Sequence, residues 1–361
     1  MKAAIVGGGI GGLAAATALR RVGIETVVFE RAERLEAVGA GLTLSPNAVR
    51  ALERLGLADS VRAVSARGRE LLVRTKAGRT LLKVELPEPL ETLGVHRADV
   101  QRILADAAGD VRLGSEVTDV EAVRGEADVI VGADGINSVV RAALHGAEPP
   151  LYAGYDGWRA VSEYDDERVR GRFSETWGLG DRFGLIPLGG GRLYWFVSES
   201  GGTHDTGGRQ RQPFAQRFAE WHEPIPEVIA TTRESAPSMT PIQWRKPLRR
   251  WGRGRMTLLG DAAHAMTPDL GQGAGQALED AVVLAASLRA AADAEEGLRA
   301  YERERIVRTT PIVKRSRQLG RLASSSRPWT CALRDALIAA TPGALQARQQ
   351  AQILDYELPE L

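Results

Sequence analysis

The feature that most limits how this chain can fold is the run Gly7-Gly8-Gly9-Ile10-Gly11-Gly12, set between a β-branched strand and an apolar helix. Lys2 to Val6 reads as the strand, Leu13 to Val22 as the helix stopped by Gly23, and Glu25 to Glu30 as a second strand. They predict a βαβ unit with a G-x-G-x-x-G turn. In such a turn Gly7 makes the tight bend, Gly9 lets the backbone approach a pyrophosphate, and Gly12 allows close packing of helix on strand. The diphosphate then sits at the helix N-terminus, where Ile10 and Gly11 complete the dinucleotide site. Glu30 stands 18 residues after Gly12, followed by Arg31. A carboxylate there accepts both hydrogen bonds of an adenosine ribose and repels a 2′-phosphate, which favours FAD or NAD over NADP at this site. The fingerprint alone does not choose between FAD and NAD.

A chain of 361 residues exceeds one typical hydrophobic core, so two packed domains are expected. Its net charge of +1 offers no field for gathering polyanions, which argues against nucleic acid as a partner. Cys331 is the single cysteine, excluding an internal disulfide and a thiolate-rich metal site, and no metal is expected. A reducing, cytoplasmic setting fits. Five glycines interrupt the apolar opening from Ala3 to Leu19, which has one leading lysine and so makes a poor secretory signal. No stretch reaches the roughly 18 uninterrupted apolar residues that span a bilayer, so no membrane partner is expected.

Past the opening, a helix is predicted around Asn47 to Leu55, a hairpin over Glu70 to Leu86 turned at Lys76-Ala77-Gly78, and a helix over Ala98 to Ala108. Ala127 to Val131 reads as a buried strand. From Leu151 to Trp244 the pattern becomes strand-like, with a polar glycine loop from Gly201 to Arg211. Met256 to Leu259 returns to a buried strand, Gly275 to Ala292 reads as a helix, and Glu295 to Leu322 as a longer amphipathic one. The first domain is therefore expected to be discontinuous in sequence.

Two further segments accompany the glycine turn: Val131-Gly132-Ala133-Asp134-Gly135-Ile136-Asn137-Ser138-Val139-Val140-Arg141, and Gly260-Asp261-Ala262-Ala263-His264-Ala265-Met266-Thr267-Pro268-Asp269-Leu270-Gly271-Gln272-Gly273-Ala274-Gly275-Gln276. In order and spacing the three resemble the signature segments of the class A flavoprotein monooxygenases, the para-hydroxybenzoate hydroxylase family. That resemblance implies an α/β fold: a discontinuous Rossmann-like FAD-binding domain (1–69, 94–150 and 249–294), a second, mostly antiparallel-sheet substrate domain (hairpin 70–93 and 151–248), and C-terminal helices (295–361). It also implies that Asp261 binds the ribityl hydroxyls of FAD, and that the Gly271-Gln272-Gly273 turn, with Ala274, directs backbone amides at the flavin N1 and O2 edge. Asp134 is implied to contact FAD, and Arg97 and Gln101, within a His96-Arg97 element, to reach the FAD chain. Charge on reduced flavin at that edge would be stabilised by a helix N-terminus starting near Gly275.

The implied activity is that of a single-component monooxygenase. NADH or NADPH reduces FAD, O2 forms a flavin C4a-hydroperoxide, and an electron-rich aromatic, heterocyclic or polyketide-like molecule is hydroxylated or epoxidised. No obligatory reductase partner is expected, and the protein is expected as a monomer or homodimer. A reductase or oxidase without oxygen insertion, and a non-catalytic binding protein on the same nucleotide fold, remain as alternatives. A flavin-dependent halogenase is disfavoured because no W-x-W-x-I-P stretch occurs. Many relatives carry Met-Asn after Gly-Gln-Gly, whereas this chain has Ala274-Gly275, so flavin contacts there must come from the backbone. Between Val123 and Ala127 the chain is shorter than the usual family hairpin.

Pro268 resembles the family proline beside flavin C4a, and reads equally as a helix-start proline. Asp269 either meets substrate or caps the next helix. Among the histidines, His264 reads as structural and His145, His204 and His222 as surface residues, so no catalytic base stands out. Asp181 to Pro187 and Arg192 to Phe196 flank a glycine turn and predict a hairpin. With a three-residue turn over Gly189 to Gly191, Ile186 pairs with Tyr194 and Gly184 with Phe196, which places Arg182 and Tyr194 on one face; a two-residue turn separates them. The segment resembles one in HpxO-type urate hydroxylases, where the matching arginine and tyrosine serve substrate binding. The competing reading is a surface ion pair for Arg182 and sheet packing for Tyr194.

Overall fold

A computed structural model describes residues 1–35, 40–86, 90–201, 213–233, 236–341 and 353–361. Its first layer is a parallel five-stranded sheet in the order Met256–Leu258, Val129–Gly132, Lys2–Val6, Glu25–Phe29, Asp110–Arg112. The strands come from three separated parts of the chain, so this layer is discontinuous, as expected. Ala3, Ala4, Ile5, Val27, Val28, Val129 and Val131 are all fully buried, the pattern of a parallel sheet covered on both faces. The covering helix Ile10–Arg21 is rich in alanine and packs on the helix Gly273–Ala290. A methyl at Gly11 would stand 2.8 Å from Leu259 Cδ2 and 3.2 Å from Ala277 Cβ, so the absence of a side chain there sets how closely these layers approach.

The second layer is a seven-stranded sheet in the order Ser238–Trp244, Leu151–Glu163, Arg192–Ser200, Asp181–Pro187, Arg172–Trp177, Glu70–Thr75, Thr80–Glu85. Every pairing in it is antiparallel except that of Arg172–Trp177 with Glu70–Thr75. Its rear face carries Ala160, Phe183, Leu185, Trp195 and Val197, which pack on Phe218, Trp221, Ile225 and Val228. These last residues belong to the helices Phe214–Phe218 and Ile225–Thr231 and their connection, in a stretch expected to be strand-like apart from its glycine loop. The helices form there because the sheet needs an apolar cover on the side away from the first layer. A small sheet of Gly41–Leu44, Thr92–His96 and Ala66–Gly68 lies between the layers in sequence order and touches both.

The helix expected from Gly275 begins at Gly273, with Gln272 as its N-cap. The long helix runs Ala294–Ala323 and is followed by Pro328–Ala340. The expected glycine loop falls, beyond Gly201, outside the described residues, and His204 with it. Among the described residues no helix is long and apolar enough to cross a membrane, and no cluster of His, Cys, Asp and Glu could hold a metal.

Candidate active site

The glycine turn opens onto a cleft of about 860 Å³ lined by Gly7, Gly9, Glu30, Arg31, Arg97, Gln101, Asp134 and their neighbours. Gly12 packs so closely on the Gly7 carbonyl that any side chain there would collide with it. At Gly9, by contrast, an added Cβ would meet nothing within 4 Å, so the backbone faces open space where a pyrophosphate would approach. Glu30 accepts the Gly8 N–H at 2.6 Å and the Ala32 N–H at 2.9 Å, which fixes its carboxylate at the end of the second strand. Gln101 Nε2 donates to the Gly8 carbonyl at 2.9 Å and so braces the turn from the helix Arg97–Ala108.

Asp134 Oδ2 accepts the N–H groups of Val139 (2.7 Å) and Val140 (3.3 Å) at the start of the helix Val139–His145. Its Oδ1 is buried with no hydrogen-bond partner among the described residues, and burial pushes its pKa up against those bonds. An orphaned acceptor beside the cleft is what a cofactor hydroxyl or N–H would complete. Arg141, at the end of the same segment, donates to the carbonyls of Ala262 (3.0 Å) and Ala263 (3.2 Å), joining the second motif to the third.

Asp261 opens the short helix Asp261–His264 and, though closely surrounded by protein, keeps an accessible surface. The surrounding protein raises its pKa by desolvation, partly offset by His264 and Arg97. The preceding Gly260 N–H donates to Asp280 Oδ2 at 2.9 Å, and the same oxygen lies 2.6 Å from His264 Nε2. His264 is therefore structural, as expected. Behind the Gly271-Gln272-Gly273 turn this contact extends into a buried polar network. Arg305 donates to Asp280 Oδ1 (2.6 Å), Glu279 Oε2 (2.6 Å) and Gln276 Oε1 (2.8 Å), and all four side chains are inaccessible to solvent. Asn47 Nδ2 donates to Glu279 Oε1 at 2.6 Å and to Gln272 Oε1 at 3.0 Å. The Gln272 side chain thus points inward, leaving its backbone to face a ligand. Gly271 holds φ +61°, a left-handed conformation that favours glycine and lets the chain enter the helix from this angle. A Cβ at Gly275 would lie 3.1 Å from Asn47 Nδ2, so Asn47 fills the room that a side chain after Gly-Gln-Gly would take.

Pro268 is exposed at the first position of the 3-10 turn Pro268–Leu270, and is a helix-start proline in this sense. Asp269 follows it and neither caps the next helix nor faces open space. Its Oδ1 accepts Arg182 Nη2 at 2.7 Å and its Oδ2 accepts the Tyr155 hydroxyl at 2.6 Å. Arg182 also donates to Glu175 at 3.0 Å and is only 3% exposed, which overturns the reading of a surface ion pair. Burial raises the pKa of Glu175, Arg182 opposing it and Asp269 adding to it. The glycine turn has three residues: Ile186 pairs with Tyr194, Gly184 with Phe196 and Arg182 with Ser198. Arg182 and Tyr194 therefore share the front face of the sheet, where the Tyr194 ring lies against Gly41 of the small sheet. His222, expected at the surface, is half-buried and 2.9 Å from Thr176 Oγ1, because the helical cover of the sheet folds over it. His145 is exposed.

Of the residues above, Asn47, Tyr155, Glu175, Glu279, Asp280 and Arg305 carry no local motif. Only the alternation along Leu151–Glu163 could have placed Tyr155 on the front face.

Residues 1–316 match the family model of the FAD binding domain. The chain belongs to this family. It is 38% identical to the aurachin C monooxygenase/isomerase of Stigmatella aurantiaca, over 92% of each chain. It is also 38% identical to the 3-amino-4-hydroxybenzoate 2-monooxygenase of Streptomyces cremeus, over 88% of this chain and 86% of that one. The crystal structure of Klebsiella pneumoniae HpxO complexed with FAD and uric acid superposes with a TM-score of 0.88 at 29% identity, covering 98% of this chain and 96% of that one. The chain is thus an FAD-dependent monooxygenase, and the resemblance read from its three motifs holds.

Proposed function

We propose that this monooxygenase inserts one oxygen atom into an electron-rich aromatic or heterocyclic small molecule, as a single component that takes electrons directly from NADH or NADPH. The carrying observation is the register that puts Arg182 and Tyr194 on one sheet face, with Arg182 bonded to Asp269 of the segment that ends in the Gly271-Gln272-Gly273 turn. A substrate lying on that face is brought against the flavin segment. FAD, when bound, supplies the reductive activation of dioxygen.

The chain's own residues do the rest of the work in this reading. Gly7, Gly9, Ile10, Gly11, Gly12, Glu30, Arg31, Arg97, Gln101 and Asp134 hold the adenosine and diphosphate half, and Asp261 takes the ribityl hydroxyls. The N–H groups from Gly271, Gln272, Gly273 and Ala274 meet the flavin ring, with Pro268 beside it. Arg182 fixes the wall of the substrate site. The Tyr194 hydroxyl, which has no hydrogen-bond partner among the described residues, is offered to the substrate. The division into an FAD-binding domain and a substrate domain carried by 70–93 and 151–248 belongs to the same proposal, as does a cytoplasmic setting.

The experiment is a screen of aromatic and heterocyclic compounds with the purified holoprotein alone. It follows NAD(P)H oxidation and, by mass, incorporation of an atom from labelled O2. Product carrying one labelled oxygen supports the reading; a strict need for a second protein overturns the single-component part. With a substrate in hand, Tyr194→Phe and Arg182→Ala are expected to weaken substrate-stimulated turnover while FAD content stays unchanged.

A further inference from the structure

The front face of the seven-stranded sheet meets the small sheet and the segment that leads to Gly271. At one end the Tyr194 ring lies on Gly41, and at the other Arg182 and Tyr155 hold Asp269. The registers place one cross-strand row between these ends: Glu175 opposite Gly184, Gly184 opposite Phe196, and Phe196 opposite Arg159. Gly184 contributes no side chain, and the Phe196 ring spreads over it, 6.0 Å from the Tyr194 ring. Arg159 and Phe196 are half-buried, so the row is a partly open aromatic floor with a cation at one side.

That cation differs from its neighbour. Arg182 is already neutralised by Asp269 and Glu175. Arg159 makes no ion pair or hydrogen bond among the described residues, and its Nη2 lies only 3.7 Å from where a Cβ of Gly157 would stand. The guanidinium thus lies along its own strand, from the Phe196 row toward the Arg182 row, over a residue without a side chain. A half-buried, unpaired guanidinium next to an aromatic platform favours a flat ligand that brings a negative charge.

Resting on the reading that this face holds the substrate, we propose that Arg159 is the anion receptor of the site, and that the substrate is a planar aromatic acid or ring anion lying on Phe196. Guanidinium pairing with a carboxylate or an ionised ring oxygen fixes the rotation of the ring over Phe196. Arg159 is then a specificity-determining residue, and Arg182 a positioning residue of the wall.

Binding rather than turnover tests this. The FAD-loaded protein is titrated with 4-hydroxybenzoate and 4-hydroxybenzamide, and separately with 4-nitrophenol below and above its own pKa, following the flavin absorbance difference spectrum. The expected result is binding of an anion about tenfold or more tighter than its neutral counterpart in at least one pair, the pair showing whether the charge sits on a carboxylate or on the ring. Arg159→Gln should abolish that preference, and Arg159→Lys should restore part of it, with FAD content unchanged in both. No anion preference in either pair, or an undiminished preference in Arg159→Gln, overturns the proposal. Because the readout is binding, anion preference without any oxygenated product would sink the proposed function and leave this inference standing.

Discussion

Arg182 Nη2 lies 2.7 Å from Asp269 Oδ1, across the junction between the seven-stranded sheet and the loop that leads to Gly271. The two residues are 87 apart in sequence, and both side chains are almost fully withdrawn from water. An ion pair in such a place is worth little against an apolar substitute but costs much to break on one side only.

Asp269→Asn keeps the shape and an acceptor for the Tyr155 hydroxyl but removes the charge opposite Arg182. Its expected cost is about 1.5–3 kcal/mol of unfolding free energy, the range for a hydrogen bond to a charged group. Denaturant titration of the FAD-loaded protein measures it. The FAD content is expected to hold, since both carboxylate oxygens of Asp269 are taken up by Arg182 and Tyr155; a stability equal to that of the unmodified protein would show that the pair holds nothing together.

Asp261→Ala removes the charge-assisted acceptor assigned to the ribityl hydroxyls, and the dissociation constant for FAD should rise by roughly tenfold to a hundredfold. The elevated pKa of Asp261 gives this a pH signature. Affinity relies on the ionised carboxylate, which is lost as pH falls through that raised value, so FAD release should begin at a pH above the ordinary aspartate range of about 4. In Asp261→Asn the acid-induced release should be blunted. Flavin fluorescence, quenched when bound and bright when free, reads both effects.

Arg305 compensates Glu279 and Asp280 together. Arg305→Met leaves two buried carboxylates without their counter-ion, and about 3–5 kcal/mol of destabilisation is expected, measured by thermal or denaturant unfolding. Burial works against the charged form of both carboxylates, yet Arg305, with His264 at Asp280 and Arg308 at Glu279, holds their pKa values below the ordinary range. Depressed carboxylate pKa values contribute stability that is complete above the unfolded-state values near 4 and is lost as pH falls through the folded ones. The unmodified protein should therefore lose stability steeply in acid, and Arg305→Met should lose this part of the pH dependence.

Gly275→Asn restores the side chain many relatives carry and drives it toward Asn47 Nδ2, 3.1 Å from the new Cβ. Overpacking of about 1–3 kcal/mol is expected. Asn47→Ala alone should also destabilise, because it removes the donor to Glu279 and Gln272. Combined, the two changes should cost less than the sum of the single ones, since the second opens the room that the first requires. Strict additivity would reject the view that one position fills in for the other.

The flavin-side motifs were legible because each rests on a local requirement. A glycine at 12 that touches the Gly7 carbonyl, or a carboxylate at 30 that ends a strand, is visible within some thirty residues of chain. The shared face of Arg182 and Tyr194 was legible for a similar reason: once the turn length is three, the alternation of the strands fixes the rest. The polar network behind Gln272 was not. Asn47 and Glu279 meet across 232 residues, and two acidic residues on a helix read as a wet face until a buried arginine from another helix is found opposite them. The helices over 214–231 were missed because short amphipathic turns rich in Trp, Pro and Phe have no period long enough to tell from strands.

The sheet that carries the front row is insulated from it. Phe183, Leu185, Trp195 and Val197 alternate with Arg182, Gly184, Tyr194 and Phe196 along the same two strands, and the first set is anchored in a cushion of aromatic side chains behind them. An exchange at Tyr194 or Phe196 changes what lies above the sheet and leaves the cushion and the Arg182–Asp269 pair intact. If this face holds the substrate, as proposed, a lineage built on this plan can pass from one aromatic diet to another by steps at those two positions, without refounding the protein around every new compound.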